Sequence, residues 1–180
     1  MKSSVKFDIS KFLKFFKYLL YMAEFVLLYV LQNVPSGFPL IFSVKPMLVI
    51  SLLVVVSLLE SEMSTVFFSL GAGLLLDAGM APVGLSSLFL TVCCTLLSAM
   101  SKKKFHARVL SNLIATFIIA LLYGAFIWAA VYLASGNERA LVIFIDRFIP
   151  SILYTVLISP IMYILNICIF SAFKSKPIGI

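Results

Sequence analysis

Residues 45–84 read KPMLVISLLVVVSLLESEMSTVFFSLGAGLLLDAGMAPVG, and this stretch alternates apolar runs with short polar or glycine-rich turns. The first run ends at the acidic turn Glu60-Ser61-Glu62. The second ends at Asp77, in a segment that also contains glycines and Pro82. A helix that crosses a bilayer needs about 20 mainly apolar residues, and both runs fall slightly short of that length. The stretch predicts two membrane helices joined by a tight polar turn.

The composition of the whole chain places these helices in a larger membrane protein. Of the 180 residues, 63% are hydrophobic and 12% are charged, and the mean hydropathy is +1.17. A soluble domain has about 45–50% apolar and about 25% charged residues. A chain of this length holds about six spans with short loops. The predicted fold class is therefore an all-α polytopic membrane protein with six transmembrane helices and no soluble domain.

The apolar runs divide the chain into a leader, a membrane domain and a tail. Lysines interleave with aromatic residues in 1–17, which predicts a basic amphipathic cytoplasmic leader on the inner membrane surface. The segment 140–145, ALVIFI, is too short to cross and is expected to lie along the outer interface. A short basic cytoplasmic tail is predicted at 174–180. Within the transmembrane domain, 18–173, the predicted spans are 18–34, a second from between Phe38 and Pro46 to Leu59, 63–76, 83–100, 109–134 and 148–173.

The net charge of +7 follows membrane topology better than it follows nucleic-acid binding. Basic residues of membrane proteins concentrate in cytoplasmic segments. With six spans and the N-terminus inside, only Lys45, Arg139 and Arg147 fall outside. The sequence therefore predicts a multi-pass protein with both termini cytoplasmic and no nucleic-acid partner. The basic residues that fall inside are Lys2, Lys6, Lys11, Lys14, Lys17, Lys102, Lys103, Lys104, Arg108, Lys174 and Lys176.

Small and polar residues recur at helical spacing in the last three spans. Close packing and interhelical hydrogen bonds, rather than hydrophobicity, hold membrane helices together. We interpret the stripes as helix–helix contacts, and the alternative is a polar substrate cavity. The three cysteines, Cys93, Cys94 and Cys168, lie in apolar runs and are interpreted as packing residues. The stripes are Gly84, Ser87, Thr91, Cys94, Ser98 and Ser101; Asn112, Thr116, Ala120 and Gly124; and Ser151, Thr155, Ser159 and Asn166, with a kink expected at Pro160.

Asp77 stands where a helix is expected to end. A carboxylate there opposes the helix macrodipole, so stability of its own helix does not explain it. Aspartate readily accepts backbone hydrogen bonds in turns. We expect its donors in the Ala78-Gly79 turn or at the start of the next span. Gly71 and Gly73 lack side chains just below, which allows another backbone to approach.

The other acidic residues give no catalytic constellation. Glu24 lies about two turns inside the first span, where an ionisable residue marks a candidate functional site; it faces a neighbouring helix or reaches toward the lysine-rich surface. Glu60 and Glu62 are expected to be solvated. Asp8 and Asp146 lie in flanking segments and His106 lies in a lysine-rich loop. No nucleophile–base pair, metal cluster or nucleotide fingerprint is present, so the sequence predicts neither an enzyme nor a cofactor.

Four segments spread along most of the chain form a recognisable pattern. Gln32 closes the first span, KPMLVISLLVVVSLLESE leads into the second, and LYTVLISPIMYIL precedes the short basic tail. The most specific segment is FFSLGAGLLLDAGMAPVGLSSLFLTV, in which G-x-x-x-D is followed by G-x-x-x-x-G. Its positions are Gly73, Asp77, Gly79 and Gly84. This pattern resembles the rod shape-determining protein MreD family.

The resemblance implies a non-catalytic inner-membrane scaffold for lateral peptidoglycan synthesis in rod-shaped bacteria. Its implied partners are MreC, then MreB, a SEDS glycosyltransferase, a penicillin-binding transpeptidase and membrane lipids. Its implied fold is related to the substrate-binding components of energy-coupling vitamin transporters. The candidate partner-binding or structural residues are Gly71, Gly73, Asp77, Gly79, Gly84 and Gln32, with Glu24 as a candidate intramembrane polar site.

The alternative function is that of such a substrate-binding transporter component. That class docks on its energising partner through an Ala-x-x-x-Ala pattern in the first span. Here Leu27 follows Ala23 at that spacing, and the first span offers no second small residue. The sequence therefore favours the scaffold over the transporter component.

Overall fold

The computed structural model describes residues 2–34, 44–78, 84–104, 109–136 and 139–173, and its regular elements there are all helices. The predictions for Gly79, Pro82, His106 and the 174–180 tail lie outside these residues. The helices are α1 (Lys2–Asn33), α2 (Leu48–Leu59), α3 (Glu62–Asp77), α4 (Leu85–Lys104), α5 (Val109–Leu133) and α6 (Ala140–Ala172). The described chain is therefore all-α, as the sequence predicts.

Among the described residues, three stretches are long and apolar enough to cross a membrane: Phe15–Asn33 in α1, α5, and α6. Leu48–Leu59 and Leu85–Ser101 are shorter apolar helices. These lengths and compositions indicate association with a membrane. The start predicted for the second span, between Phe38 and Pro46, precedes the start of α2 at Leu48, and residues 35–43 lie outside the described part of the chain.

The leader and the first span form one continuous helix. α1 has 32 residues, about 48 Å at 1.5 Å per residue, whereas the bilayer core is about 30 Å thick. The structure has no break near residue 17, where the sequence suggested a change from a surface helix to a span. No glycine or proline occurs before Pro35, so nothing in the local sequence ends the helix there.

The prediction for 140–145 is wrong, because this segment is the first part of α6. Ala140–Ile143 is α-helical, Phe144–Phe148 is π-helical, and Ile149–Ala172 continues the helix. Asp146 and Arg147 suggested a boundary, but both are exposed, and a charged side chain that reaches solvent does not interrupt a helix. The segment is also tied to the end of α5, where the Trp128 indole N–H donates to the Ala140 carbonyl at 2.7 Å.

Helix α2 forms the centre of the bundle. Its residues from Leu48 to Ser57 are all buried, because α1, α3, α4, α5 and α6 all pack against it. A helix buried on every side is apolar around its whole circumference, which explains the uninterrupted run LVISLLVVVSLL. Helix α1 is the opposite case, since most of its large apolar side chains are exposed.

Candidate functional site

The G-x-x-x-D motif forms the contact between α3 and α4. Asp77 is the last residue of α3, and its side chain is 1% exposed. The carboxylate accepts hydrogen bonds from the backbone N–H groups of Gly84 at 3.0 Å, Ser86 at 2.9 Å and Ser87 at 3.0 Å. Of the two donor sets that the sequence allowed, the start of the next helix supplies these three donors, and Gly79 of the other set lies outside the described residues.

This geometry resolves why an acid stands at the end of a helix. The first N–H groups of α4 have no partner within their own helix. A side chain of the preceding residue usually caps them, but that residue is Gly84, with φ +100°. Asp77 takes over the capping role from α3. Its negative charge is unfavourable for the end of α3 but favourable for the start of α4.

The environment of Asp77 keeps it ionised. Burial acts to raise the pKa of its carboxyl group. The Ser86 side chain and the N–H groups of Ser87, Ser86 and Gly84 outweigh that effect and hold the pKa below its ordinary value. Three backbone donors stabilise a carboxylate because they bond to its charged form. Asp77 is thus a fixed acceptor and not a proton donor at neutral pH.

Gly73 brings the two backbones into contact one turn below Asp77. A Cβ atom on Gly73 would lie 2.2 Å from the Cα atom of Ser87, far inside van der Waals contact. Gly71 differs, because a Cβ atom there would meet nothing within 4 Å. The expectation of a close backbone is therefore met at Gly73 and is wrong at Gly71. The two glycines lie on different faces of α3. The sequence alone did not show that only one of them meets α4.

The contact extends along a buried stripe on α3 that the sequence analysis missed. Its members follow at four-residue spacing, which places them on one helix face. All are buried: Thr65, Ser69, Gly73 and Asp77. A count of small residues at that spacing would have found it. Of the predicted α4 stripe, Ser87, Cys94, Ser98 and Ser101 are also buried, and Ser87 is the one that meets Gly73.

Hydrogen bonds connect the α3–α4 contact to α5, and α5 to α6. The Ser86 hydroxyl lies 3.1 Å from the Tyr123 hydroxyl of α5. Asn112 donates to the backbone carbonyl and the hydroxyl of Ser159 on α6, and Thr116 lies 2.9 Å from the same hydroxyl. The predicted α5 and α6 stripes are buried at every position. They are used in helix–helix contacts, which is the first of the two interpretations of these stripes.

The described pockets do not give the stripes a substrate cavity. A pocket of about 310 Å³ lies between the ends of α4 and α5 and is walled mainly by leucine, isoleucine and methionine side chains. A more polar pocket of about 400 Å³ includes Lys45, Arg147 and Ser151. Lys45 already bonds to backbone carbonyls at the end of α1, and Ser151 donates to the Lys45 carbonyl. Among the described residues, no group of three or more His, Cys, Asp or Glu side chains could hold a metal ion.

Gln32 joins the end of α1 to the start of α2. Its side-chain oxygen accepts from the backbone N–H of Val49 at 3.4 Å. The Lys45 ammonium donates to the carbonyls of Gln32, at 3.2 Å, and Val34, at 2.7 Å. A cation that bonds the last carbonyls of a helix also favours its macrodipole. Gln32 therefore has a structural position between two helices.

Glu24 faces a neighbouring helix, the first of the two placements that the sequence allowed. The Asn166 side-chain N–H group of α6 donates to one Glu24 carboxyl oxygen at 3.0 Å. Asn166 is 0% exposed. The second Glu24 carboxyl oxygen and the Asn166 side-chain oxygen are buried without a hydrogen-bond partner.

The prediction that Glu60 is solvated is wrong, whereas Glu62 is exposed. Glu60 forms an ion pair with Lys17, and their side chains are 6% and 13% exposed. The Tyr21 hydroxyl donates to the same carboxyl group at 3.2 Å. The Lys17 ammonium also lies 4.6 Å from the ring centroid of Phe170. The partner of Glu60 lies 43 positions away along the chain, so the turn sequence alone contained no sign of it.

Comparison with known proteins adds no relative: no family model, no curated protein and no solved structure matches the chain.

Proposed function

We propose that this chain is a non-catalytic membrane scaffold of the bacterial cell-elongation machinery, with the role that its resemblance to the MreD family implies. The observation that carries the proposal is the use of Gly73 and Asp77. Both are consumed in holding α3 against α4. Gly73 and Asp77 of the most specific motif thus build a helix pair, and this structural use supports the proposed scaffold.

In this proposal all six helices cross the bacterial plasma membrane, with both termini in the cytoplasm. Lys17 and Glu60 then lie at the inner end, and Gln32 and Asp77 at the outer end. The excess of basic residues inside supports this orientation. In this arrangement the shorter α2 lies at the centre of the bundle, and many described apolar side chains of α1 remain uncovered.

The proposed partner surface is the outer face of α3. Phe67, Leu70 and Leu74 are exposed there, and Gly71 leaves a notch between them because nothing lies within 4 Å of its Cβ position. Small residues beside large apolar ones let a second membrane helix approach closely. We propose that a transmembrane helix of MreC packs on this face. Asp77 and Gly73 act indirectly, by fixing the α3–α4 pair that presents it.

The test is co-purification of MreC with single variants of the full chain. Gly71→Leu fills the notch without an internal clash, so we expect a folded protein that recovers several-fold less MreC. Ala99→Leu, at an exposed position of α4, is the matched control and should recover wild-type amounts. Asp77→Ala should lose both thermal stability and MreC. Equal recovery by Gly71→Leu and the wild-type protein would remove this face from the proposal.

A cellular test addresses the scaffold role itself. Depletion of a wall-elongation scaffold should make rod-shaped cells round, and re-expression of the wild-type chain should restore the rods. Depleted cells that keep their shape but lose uptake of a vitamin would instead support the transporter component.

A further inference from the structure

The Glu24–Asn166 contact has a fixed orientation. The Asn166 side-chain nitrogen has two hydrogens to donate. One points to the Glu24 carboxyl oxygen at 3.0 Å and the other to the backbone carbonyl of Met162, also at 3.0 Å. Rotating the amide by half a turn would lose both bonds and place its oxygen against two acceptors. The nitrogen therefore faces Glu24 as described.

The same contact lacks one hydrogen. The second Glu24 oxygen and the Asn166 oxygen are both buried, and neither has a donor. An ionised carboxylate is only an acceptor, as is an amide oxygen. A buried polar atom without a hydrogen-bond partner loses the bonds it made to water and gains none in return. Each of these two oxygens shares its carbon with an atom of the existing Asn166–Glu24 hydrogen bond. A single proton between the two oxygens would therefore satisfy both.

We propose that Glu24 binds this proton and donates it to Asn166. The proton comes from water and forms an O–H bond on the second carboxyl oxygen, so the side-chain charge changes from −1 to 0. The acid then donates to the amide oxygen while the amide nitrogen donates to the acid. Glu24 and Asn166 thus form a neutral pair with two hydrogen bonds, and a proton is a bound component of the α1–α6 contact.

The described surroundings supply no cation that would keep Glu24 ionised. On α1 the nearest cation is Lys17, which is already paired with Glu60. Tyr21, one turn from Glu24, donates to Glu60 as well. Helix α2 has no titratable side chain within it, and α3 has acids only at its two ends. The charged side chains within α6 are Asp146 and Arg147, which are exposed and lie 19 or more positions before Asn166. Its other titratable side chains are Tyr154, Tyr163 and Cys168.

The proton has a structural consequence for α1. Many of the described large apolar side chains of this helix are exposed, and the Glu24–Asn166 hydrogen bond is one of the side-chain contacts that hold it to the bundle. Loss of the proton would place a negative charge, with one unsatisfied oxygen, against the Asn166 oxygen. Attachment of α1 to α6 should therefore weaken when Glu24 ionises. This inference stands apart from the scaffold role and does not require it.

Infrared spectroscopy of the full chain in a detergent without ester groups tests the proposal, because ester carbonyls absorb in the same region as a protonated acid. A protonated carboxylic acid has a carbonyl stretch above the main amide band, which an ionised carboxylate lacks. We expect this band at neutral pH in the wild-type protein and its loss in Glu24→Gln. Glu62→Gln, which changes an exposed glutamate, is the matched control and should keep the band. A wild-type spectrum without the band, or a band that persists in Glu24→Gln, would overturn the proposal.

A stability measurement gives an independent readout. Glutamine supplies its own N–H group in place of the proton, so Glu24→Gln should fold with a melting temperature close to that of the wild type at neutral pH. A group that binds a proton more tightly when folded loses stability as pH rises. The wild-type melting temperature should therefore fall below that of Glu24→Gln over the pH range in which the band disappears. Parallel melting curves at every pH would contradict a bound proton.

Discussion

Two carboxylates inside this bundle have opposite hydrogen-bonding environments. In the α3–α4 hairpin, defined by Gly73, Asp77 and the first turn of α4, the carboxylate accepts three backbone N–H groups. In the α1 seam, defined by Lys17, Tyr21, Glu24 and their partners, Glu24 has one side-chain donor and one buried oxygen without a partner. The hairpin stabilises an ionised acid, whereas the seam leaves its acid one hydrogen short.

The difference teaches where a membrane helix bundle can place a charge. The start of a helix has several unpaired N–H groups within one turn, so Asp77 finds three donors within the residues 84–87. The middle of a helix has none to offer, because its backbone is already paired. Glu24 depends on side chains that other helices bring to it. The contact that Asp77 makes between α3 and α4 is therefore the firmer of the two, and the α1 seam is the weaker.

The strongest test of the hairpin is Gly73→Ala compared with Gly71→Ala. At Gly73 the added methyl group would overlap the Ser87 backbone, so we expect a loss of about 3 kcal/mol or more in stability, at the upper end of overpacking costs. At Gly71 alanine meets open space and is the better helix former, so a gain of about 0.5–1 kcal/mol is expected. Thermal unfolding in detergent measures both. Similar effects of the two substitutions would show that the backbones are not in contact.

The α1 seam is tested by a double-mutant cycle on Lys17 and Glu60. Each single replacement, Lys17→Met or Glu60→Gln, leaves part-buried partners unpaired and should cost about 2 kcal/mol, between the values for exposed and fully buried ion pairs. The double variant should lose less than the sum of the two. Glu62→Gln, in the same turn but exposed, should change stability by less than about 0.5 kcal/mol. Additive losses would mean that the pair contributes nothing as a pair.

The smallest of these effects is expected on acidification, which should remove the stability that Asp77 contributes. The folded pKa of Asp77 lies below its ordinary value, which is about 3.9 in an unfolded chain. The unfolded chain therefore binds the proton first, and the stability that Asp77 contributes is lost as pH falls below about 4. The advantage of the wild-type protein over Asp77→Asn in melting temperature should shrink in that range. A constant difference between the two proteins would contradict the depressed pKa.

The sequence predicted the helices well because their signals are local. Long apolar runs, stripes at helical spacing and the polar turn at 60–62 correspond to α2 to α6 within a few residues at most ends. The errors came where charge was taken as a boundary. Asp146 and Arg147 lie within α6, because an exposed charged side chain costs a helix little.

The sequence by itself determined an all-α chain rich in apolar helices, and it marked Asp77, Gly73 and Glu24 as the residues to explain. Only the tertiary structure decided their roles, because each role depends on a partner from another element. Gly73 meets Ser87 whereas Gly71 does not. The first turn of α4 gives Asp77 three donors, and Asn166, which contacts Glu24, lies 142 positions away along the chain. Helical periodicity records which face a residue occupies, but not which helix that face will meet.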